Sequence, residues 1–233
     1  MKPMSLEFTL IKVDLKRVWI TCILFPLLGT MMSIRSEAFS SKHLSESLVR
    51  LFESVTISNW MYWLMFCFGY VVLLQIIWKT RDKSFEYKLW ILLRDTTSYM
   101  MARLLVGVLF TLVYVLAAFL IASVFGLCVS HMAFSFDRSL VLMFVCIAVN
   151  LYWHASVWML LKVYATNHLA NAIILALFFV GVKRPMAFVP LYYSMVDLLR
   201  GGPMLWPALF VELLLIGVFG YLTIKRVKNA DYI

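Results

Sequence analysis

The sequence predicts an all-α membrane protein with six transmembrane helices, an N-terminal interfacial helix and a re-entrant outer segment before the last helix. Of its 233 residues, 64% are hydrophobic and 14% are charged, whereas a soluble domain usually has about 25% charged residues. A chain this apolar cannot bury all of its hydrophobic surface in one core, so the surplus is expected to face lipid. Long apolar stretches separated by short charged segments run through residues 1–233, which we interpret as a single transmembrane domain.

The first element, residues 1–17, is predicted to be a helix lying in the inner membrane interface. Leu6, Leu10 and Val13 give it an apolar side, and Lys12 and Lys16 belong to a charged side, a pattern typical of interfacial helices. A secretory signal peptide is the competing interpretation. Mixed charges before the apolar run, and the lack of a small-residue cleavage site after it, argue against that.

Six apolar stretches predict membrane-spanning helices, because crossing about 30 Å of hydrocarbon takes about 20 apolar residues. Their approximate ranges are 18–34, 55–78, 104–129, 139–161, 169–182 and 205–224. The third and fourth are the clearest, and the fifth is short. An even number of crossings would leave both ends of the chain on the same side of the membrane.

The distribution of Lys and Arg predicts the orientation. Segments 1–17, 79–103, 162–168 and 225–233 carry about twice as many of these residues as the segments on the opposite side, which favours cytoplasmic N and C termini. We expect a multi-pass protein of a cell membrane, bacterial in origin. The net charge of +9 suits anionic lipid headgroups better than nucleic acid, because the basic residues sit in short segments between apolar runs.

Two outer segments have their own patterns. Within residues 35–54, an amphipathic helix is expected, with apolar residues on one side at Leu44, Leu48, Leu51 and Phe52. Residues 183–204 contain prolines, glycines and apolar stretches too short to cross. We predict that this segment dips into the membrane and returns, which irregular backbone can do only where protein or water covers it.

The sequence lacks the usual signatures of an enzyme. It has no GxxxxGK[ST] phosphate loop, no GxSxG, no HExxH and no carboxylate pair within a span. The four histidines are not at metal-ligand spacing. The cysteines at 22, 67, 128 and 146 lie within or at the edge of apolar runs, so we interpret them as small buried hydrophobic residues. We therefore expect no catalytic residues, no metal ligands and no cofactor bound by this chain.

The inner segment "KTRDKSFEYKLWILLRDTTSYMMARLL" (79–105), together with six spans, the interfacial helix and the dipping outer segment, resembles the permease subunits of type-2 family ABC exporters. Glu86 matches the acidic position of that family's inner loop, Leu89 and Leu92 match its apolar positions, and Arg103 stands where the family has a lysine. The family's proline is absent, and Ala102 replaces its glycine.

This resemblance implies a mechanism. In such exporters two permease subunits, identical or related, pair with two cytosolic ATPases, which bind ATP and Mg²⁺. The loop between spans two and three, here 79–103, forms a coupling helix that docks in a groove of the ATPase. By this resemblance, the residues expected to couple the chain to the ATPase are Arg81, Asp82, Lys83, Phe85, Glu86, Tyr87 and Arg103. From composition alone, apolar and aromatic residues ringed by charges suit either a protein interface or a loop facing lipid headgroups.

Polar residues within the spans are candidates for the substrate path. Glu212 lies in the sixth stretch, where an ionised carboxylate costs at least about 2.5 kcal/mol unless it is paired, protonated or facing water. Asn150 and His154 are four residues apart in the fourth stretch and therefore share one helix face. The alternative for all three is a structural hydrogen bond between helices. A direct contact between Glu212 and His154 is not expected, because their predicted depths differ by about 12 Å at 1.5 Å per residue.

These features predict a permease that moves an amphipathic or lipophilic substrate outward, with a small membrane-active peptide as the best candidate. The alternative is a non-transporting membrane protein, such as an intramembrane enzyme or an assembly factor. That alternative predicts activity without an ATPase partner and two or more catalytic polar groups facing one another.

Overall fold

A computed structural model of the chain describes residues 9, 11–33, 39, 41–52, 60–78, 96–134, 137–183 and 205–230. Within these ranges the fold is α-helical and contains no strand, only an isolated β-bridge between His43 and Ala133. The helices are α1 (Leu15–Ser33), α2 (Leu44–Phe52), α3 (Trp60–Ile77), α4 (Thr96–Cys128), α5 (Arg138–Tyr164), α6 (Asn167–Lys183) and α7 (Leu205–Ala230). The predicted all-α fold is confirmed for this part of the chain.

Four of the helices are long and apolar enough to cross a membrane, which indicates a membrane protein. Their qualifying ranges are Leu15–Ser33, Thr97–Cys128, Leu140–Tyr164 and Trp206–Lys228. The apolar helices Met61–Ile77 and Asn167–Val180 are shorter. Each of the six predicted spans coincides with a helix, but six crossings stay a prediction. The re-entrant segment also stays a prediction, because residues 184–204 lie outside the described residues.

The ends of two predicted segments differ from the helices. The helix α4 begins at Thr96, so residues 96–103, which the sequence assigned to the inner loop, are helical. Tyr99 and Met100 in this first part are buried and pack with Val227 of α7. Most of the predicted interfacial helix 1–17 lies outside the described residues, and residues 15–17 belong to α1.

Contacts between neighbouring helices fix their relative directions. The pairs that do so are Gly29–Tyr62 for α1 and α3, Phe66–Tyr114 and Trp78–Arg103 for α3 and α4, Phe119–Phe144 and Leu104–Tyr152 for α4 and α5, His154–Phe178 and Trp158–Asn171 for α5 and α6, and Cys146–Leu209 and Trp153–Phe219 for α5 and α7. These pairs make α5 and α7 parallel and the other pairs antiparallel. The start of α1 and the end of α7 therefore lie at the same end of the bundle. We call it the inner end, after the predicted orientation.

Helices α1, α3 and α4 pack closely around Gly69 of α3. A Cβ atom at this position would overlap Phe25 of α1 and lie 2.6 Å from the Tyr114 hydroxyl oxygen of α4. The same hydroxyl donates a hydrogen bond to the carbonyl oxygen of Phe66, at 2.7 Å. A small residue lets membrane helices approach closely enough for such contacts, so glycine at this crossing fixes how near the three helices lie.

The predicted outer amphipathic helix is present as α2, which packs against α4 and α5. Its apolar side, with Leu44, Leu48, Leu51 and Phe52, is buried. The backbone of Leu44 donates to the carbonyl oxygen of Ala133 at 3.1 Å, which anchors the start of α2 to the α4–α5 connection. The Phe52 ring lies in a group of aromatic rings whose centroids are 4.9–5.8 Å away, namely Tyr62, Trp63, Phe66 and Phe119.

One side of α4 is apolar and exposed along its whole length. Its exposed residues recur at three- and four-residue intervals, at Leu105, Leu109, Leu112, Leu116, Leu120 and Val124. This spacing places them on one face of a helix. An exposed apolar stripe on a central helix is what contact with lipid requires, in agreement with the composition of the chain.

Candidate functional site

The candidate site is a stripe of five side chains along α5, spaced four residues apart. It consists of Cys146, Asn150, His154, Trp158 and Lys162, of which the first four are buried and the last is half-buried. A step of four residues overshoots one turn by about 40° and advances about 6 Å. This polar stripe therefore winds slowly around α5 and faces α7, then α6, then α3.

At the outer part of the polar stripe, Asn150 meets Glu212 of α7. Both are almost completely buried, with 1% and 3% of their surface exposed. Glu212 lies close enough to interact with Asn150 and with Cys146. However, neither carboxylate oxygen of Glu212 and neither amide atom of Asn150 makes a hydrogen bond of acceptable geometry. The structure thus brings together two predicted substrate-path residues and leaves their polar atoms unsatisfied.

His154, in the middle of the polar stripe, is enclosed by aromatic rings. Its ring stacks on Phe178 of α6 at 4.2 Å and meets Trp153 edge-on at 4.9 Å. Its Nδ1 atom lies 2.8 Å from the backbone carbonyl oxygen of Asn150 and can donate a hydrogen bond to it. Its Nε2 atom has no hydrogen-bond partner among the described residues, so His154 packs between α5 and α6 with only one ring nitrogen bonded.

The inner part of the polar stripe forms a cluster that we call the inner clamp, made of Trp78, Arg103, Trp158, Lys162 and Asn171. Trp78 directly follows α3, and its Nε1 donates to the carbonyl oxygen of Arg103 in α4, at 3.1 Å. Its ring stacks on that of Trp158 at 5.8 Å. The Lys162 ammonium donates to the Trp78 carbonyl oxygen and lies 5.0 Å from the centroid of Trp158. Trp158 in turn donates to the side-chain oxygen of Asn171 in α6, at 2.7 Å.

The inner clamp connects both flanks of the charged inner segment to the rest of the bundle. Trp78 precedes that segment and α4 follows it, so the bond from Trp78 to Arg103 joins its two ends. A Cβ atom at Gly107 would overlap the Trp78 ring, so the indole is pressed against the α4 backbone. Tyr152 of α5 adds a bond to the carbonyl oxygen of Leu104, at 2.9 Å. These contacts link the inner ends of α3, α4, α5 and α6 to one another.

The predicted coupling residues divide into two groups. Arg103 is described and lies in α4 with 8% of its surface exposed, so it belongs to the inner clamp. The other coupling residues, Arg81, Asp82, Lys83, Phe85, Glu86 and Tyr87, lie outside the described residues.

Sequence reasoning missed four members of the inner clamp. Lys162 entered only the count of basic residues, and Trp78, Trp158 and Asn171 were assigned no role. The signal for Lys162 was present, because it continues the four-residue spacing of Asn150, His154 and Trp158. A tryptophan at the last position of an apolar stretch is by itself usual at a membrane interface, so Trp78 carried no distinct signal.

Within the described part of the chain, no three His, Cys, Asp or Glu side chains are grouped so that they could hold a metal ion. No protein-family model, curated protein or solved structure matches this chain.

Proposed function

We propose that this chain is the membrane-spanning permease subunit of an ATP-driven exporter of the ABC type-2 family. The observation that carries the proposal is the inner clamp. An exporter driven from the cytosol needs a stiff connection between the loop that docks on the ATPase and the helices that move. Here both flanks of the charged segment 79–95 are bonded to one another and to α5.

The proposed assembly is a pair of permease subunits, identical or related, bound to two cytosolic ATPases that bind ATP and Mg²⁺. Its orientation is cytoplasmic at both termini, supported by the distribution of Lys and Arg and by the shared end of α1 and α7. The substrate is amphipathic or lipophilic and passes outward, with a small membrane-active peptide as the leading candidate. The mostly apolar bundle, with Glu212 and Asn150 buried in it, supports that substrate class.

Docking is tested by co-purification in mild detergent with any ABC ATPase encoded next to this chain. We expect a stable complex with the wild type, and loss of most of it when Phe85→Ala and Glu86→Ala are combined. The physical reason is that an interface is dominated by a few central aromatic and charged residues. The measurement is the ATPase recovered per permease on an affinity column.

A matched control carries the same two types of change at the outer end. Phe134 is 74% exposed, and the Glu46 side chain is 43% exposed and pairs with Arg50 at the predicted outer end, so Phe134→Ala with Glu46→Ala is expected to leave the complex intact. Equal recovery from the inner and outer double variants would remove the docking role of the inner segment. A wild-type chain that never binds the ATPase would overturn the proposal.

Replacing Lys162 with methionine tests the inner clamp itself. The change keeps an apolar stem but removes the donor to the Trp78 carbonyl and the cation over Trp158. An unsatisfied buried carbonyl costs about 1–3 kcal/mol. We therefore expect a lower unfolding temperature and a fall of about tenfold in substrate-stimulated ATPase activity of the complex, which is about 1.4 kcal/mol, while the ATPase still binds.

The control for this change is Lys225→Met, which removes the same charge from an exposed position near the inner end of α7. It is expected to alter neither stability nor stimulation. Lys162→Arg keeps a cationic donor and should recover part of the loss. Full stimulation in Lys162→Met would show that the clamp does not transmit motion from the docking segment.

A further inference from the structure

We propose that Glu212 and Asn150 form a binding site for a protonated amine of the transported substrate. This inference deepens the proposed function by naming a chemical group of its substrate. The binding itself can be measured on the permease without any ATPase, so it stands or fails separately.

The polar side-chain atoms of Glu212 and Asn150 are buried and have no well-formed hydrogen bonds. The two carboxylate oxygens of Glu212 and the amide oxygen and nitrogen of Asn150 are buried between α5 and α7, and none of them makes a hydrogen bond of acceptable geometry with the described residues. The buried hydroxyls of Thr30, Thr111 and Thr223 each donate to the carbonyl oxygen four residues earlier, at 2.8 Å, whereas those of Ser33 and Tyr62 have no partner among the described residues. An unpartnered buried polar atom costs about 1–3 kcal/mol, and Glu212 with Asn150 brings four such atoms together on two neighbouring residues.

Among the described residues, no basic side chain forms an ion pair with the Glu212 carboxyl group, and the ion pairs Arg17–Asp14 and Arg50–Glu46 lie elsewhere. The neighbours of the Glu212 carboxylate on α5 are Asn150 and Cys146, and neither is a cation. A buried carboxylate needs a positive partner to remain ionised in the membrane, so a cation carried by the ligand would complete the site.

A primary ammonium group suits this pair better than a quaternary one. It has three N–H donors and no acceptor, so it can donate to the carboxylate oxygens of Glu212 and to the amide oxygen of Asn150, beside the unpartnered Asn150 amide nitrogen. A quaternary ammonium carries the same charge but has no N–H to donate.

An apolar patch beside the pair suits the rest of such a ligand. Cys146 and Leu209 are buried together, with Leu142 and Val149 packed against them. This patch belongs to the outer part of the same α5–α7 seam. A molecule with an amine head and an apolar body would therefore place its head at Glu212 and its body toward Leu209. Amphipathic amines, including membrane-active peptides with a free amino group, have this form.

The experiment compares two probes of equal apolar length, hexylammonium and hexyltrimethylammonium, by calorimetry on the purified chain in lipid nanodiscs. For the wild type we expect hexylammonium to bind at least about tenfold more tightly, which is about 1.4 kcal/mol. Glu212→Gln keeps the shape but removes the charge, and should abolish this preference. Glu46→Gln, the same change on the exposed side of α2, should leave it intact.

A second measurement separates binding from folding. Glu212→Gln is expected to unfold at about the same temperature as the wild type, because a buried carboxyl group without a positive partner is not ionised and the amide has nearly the same shape. Equal binding of hexylammonium by the wild type and Glu212→Gln would overturn the proposal, and so would equal binding of the two probes by the wild type. The proposal also fails if hexylammonium binds only after Arg184→Gln or Arg200→Gln, because the chain would then supply its own cation.

Discussion

Replacing Gly69 with leucine is expected to prevent the membrane helices from packing, so that little folded protein is recovered. A single Cβ atom at this position would overlap Phe25 and lie 2.6 Å from the Tyr114 hydroxyl oxygen. Overpacking a filled core costs about 1–3 kcal/mol, and leucine adds a whole branched side chain where one atom does not fit. We therefore expect a loss at or above the upper end of that range, measured as the fraction of monodisperse protein and its unfolding temperature in mild detergent.

The chain offers a matched control for this change at Gly217 of α7. A Cβ atom there would meet nothing within 4 Å, and the position is exposed. Gly217→Leu should therefore leave the yield and the unfolding temperature close to those of the wild type. If both variants lose folded protein equally, the effect comes from glycine replacement in a membrane helix in general, and the close crossing of α1, α3 and α4 is not its cause.

The helices themselves could be predicted from hydrophobic length, but their ends could not. All six apolar stretches coincide with helices of the structure. The start of α4 differs most from its predicted position. Hydropathy marks where the chain becomes apolar, near residue 104, whereas the helix already begins at Thr96. Its first two turns are mixed in polarity, and only the packing of Tyr99 and Met100 against Val227 explains their burial. That contact joins residues more than 120 positions apart in sequence, which no local pattern reveals.

The polar residues of the site could be predicted one by one, but their partners could not. Glu212 and Asn150 were singled out because polar groups are costly within a span. Their pairing depends on α5 and α7 being parallel neighbours, a fact of the fold that spacing along the chain does not contain. Depth predicted that Glu212 and His154 lie apart, which stays a prediction. The structure pairs Glu212 with Asn150, one turn of α5 away from His154 toward the outer end.

The outer end of the bundle depends on the ring of Phe52, and we expect Phe52→Ala to destabilise the folded protein by about 3–5 kcal/mol. The side chain is completely buried. It stacks on Phe119 of α4 at 4.9 Å and meets Tyr62 of α3 edge-on at 5.2 Å. Removing the ring leaves a cavity where α2, α3 and α4 join, and the measurement is the free energy or midpoint of unfolding in detergent.

Phe134→Ala is the control for this change, because Phe134 is 74% exposed and the truncation opens no cavity. It should shift the midpoint little. Phe52→Leu, which keeps much of the apolar volume, should recover a large part of the loss, since the cost of truncation grows with the volume of the cavity. Equal stability of Phe52→Ala and Phe134→Ala would mean that α2 does not depend on its aromatic anchor. In that case the buried leucines of α2 and the bond between Leu44 and Ala133 would hold the helix against the bundle.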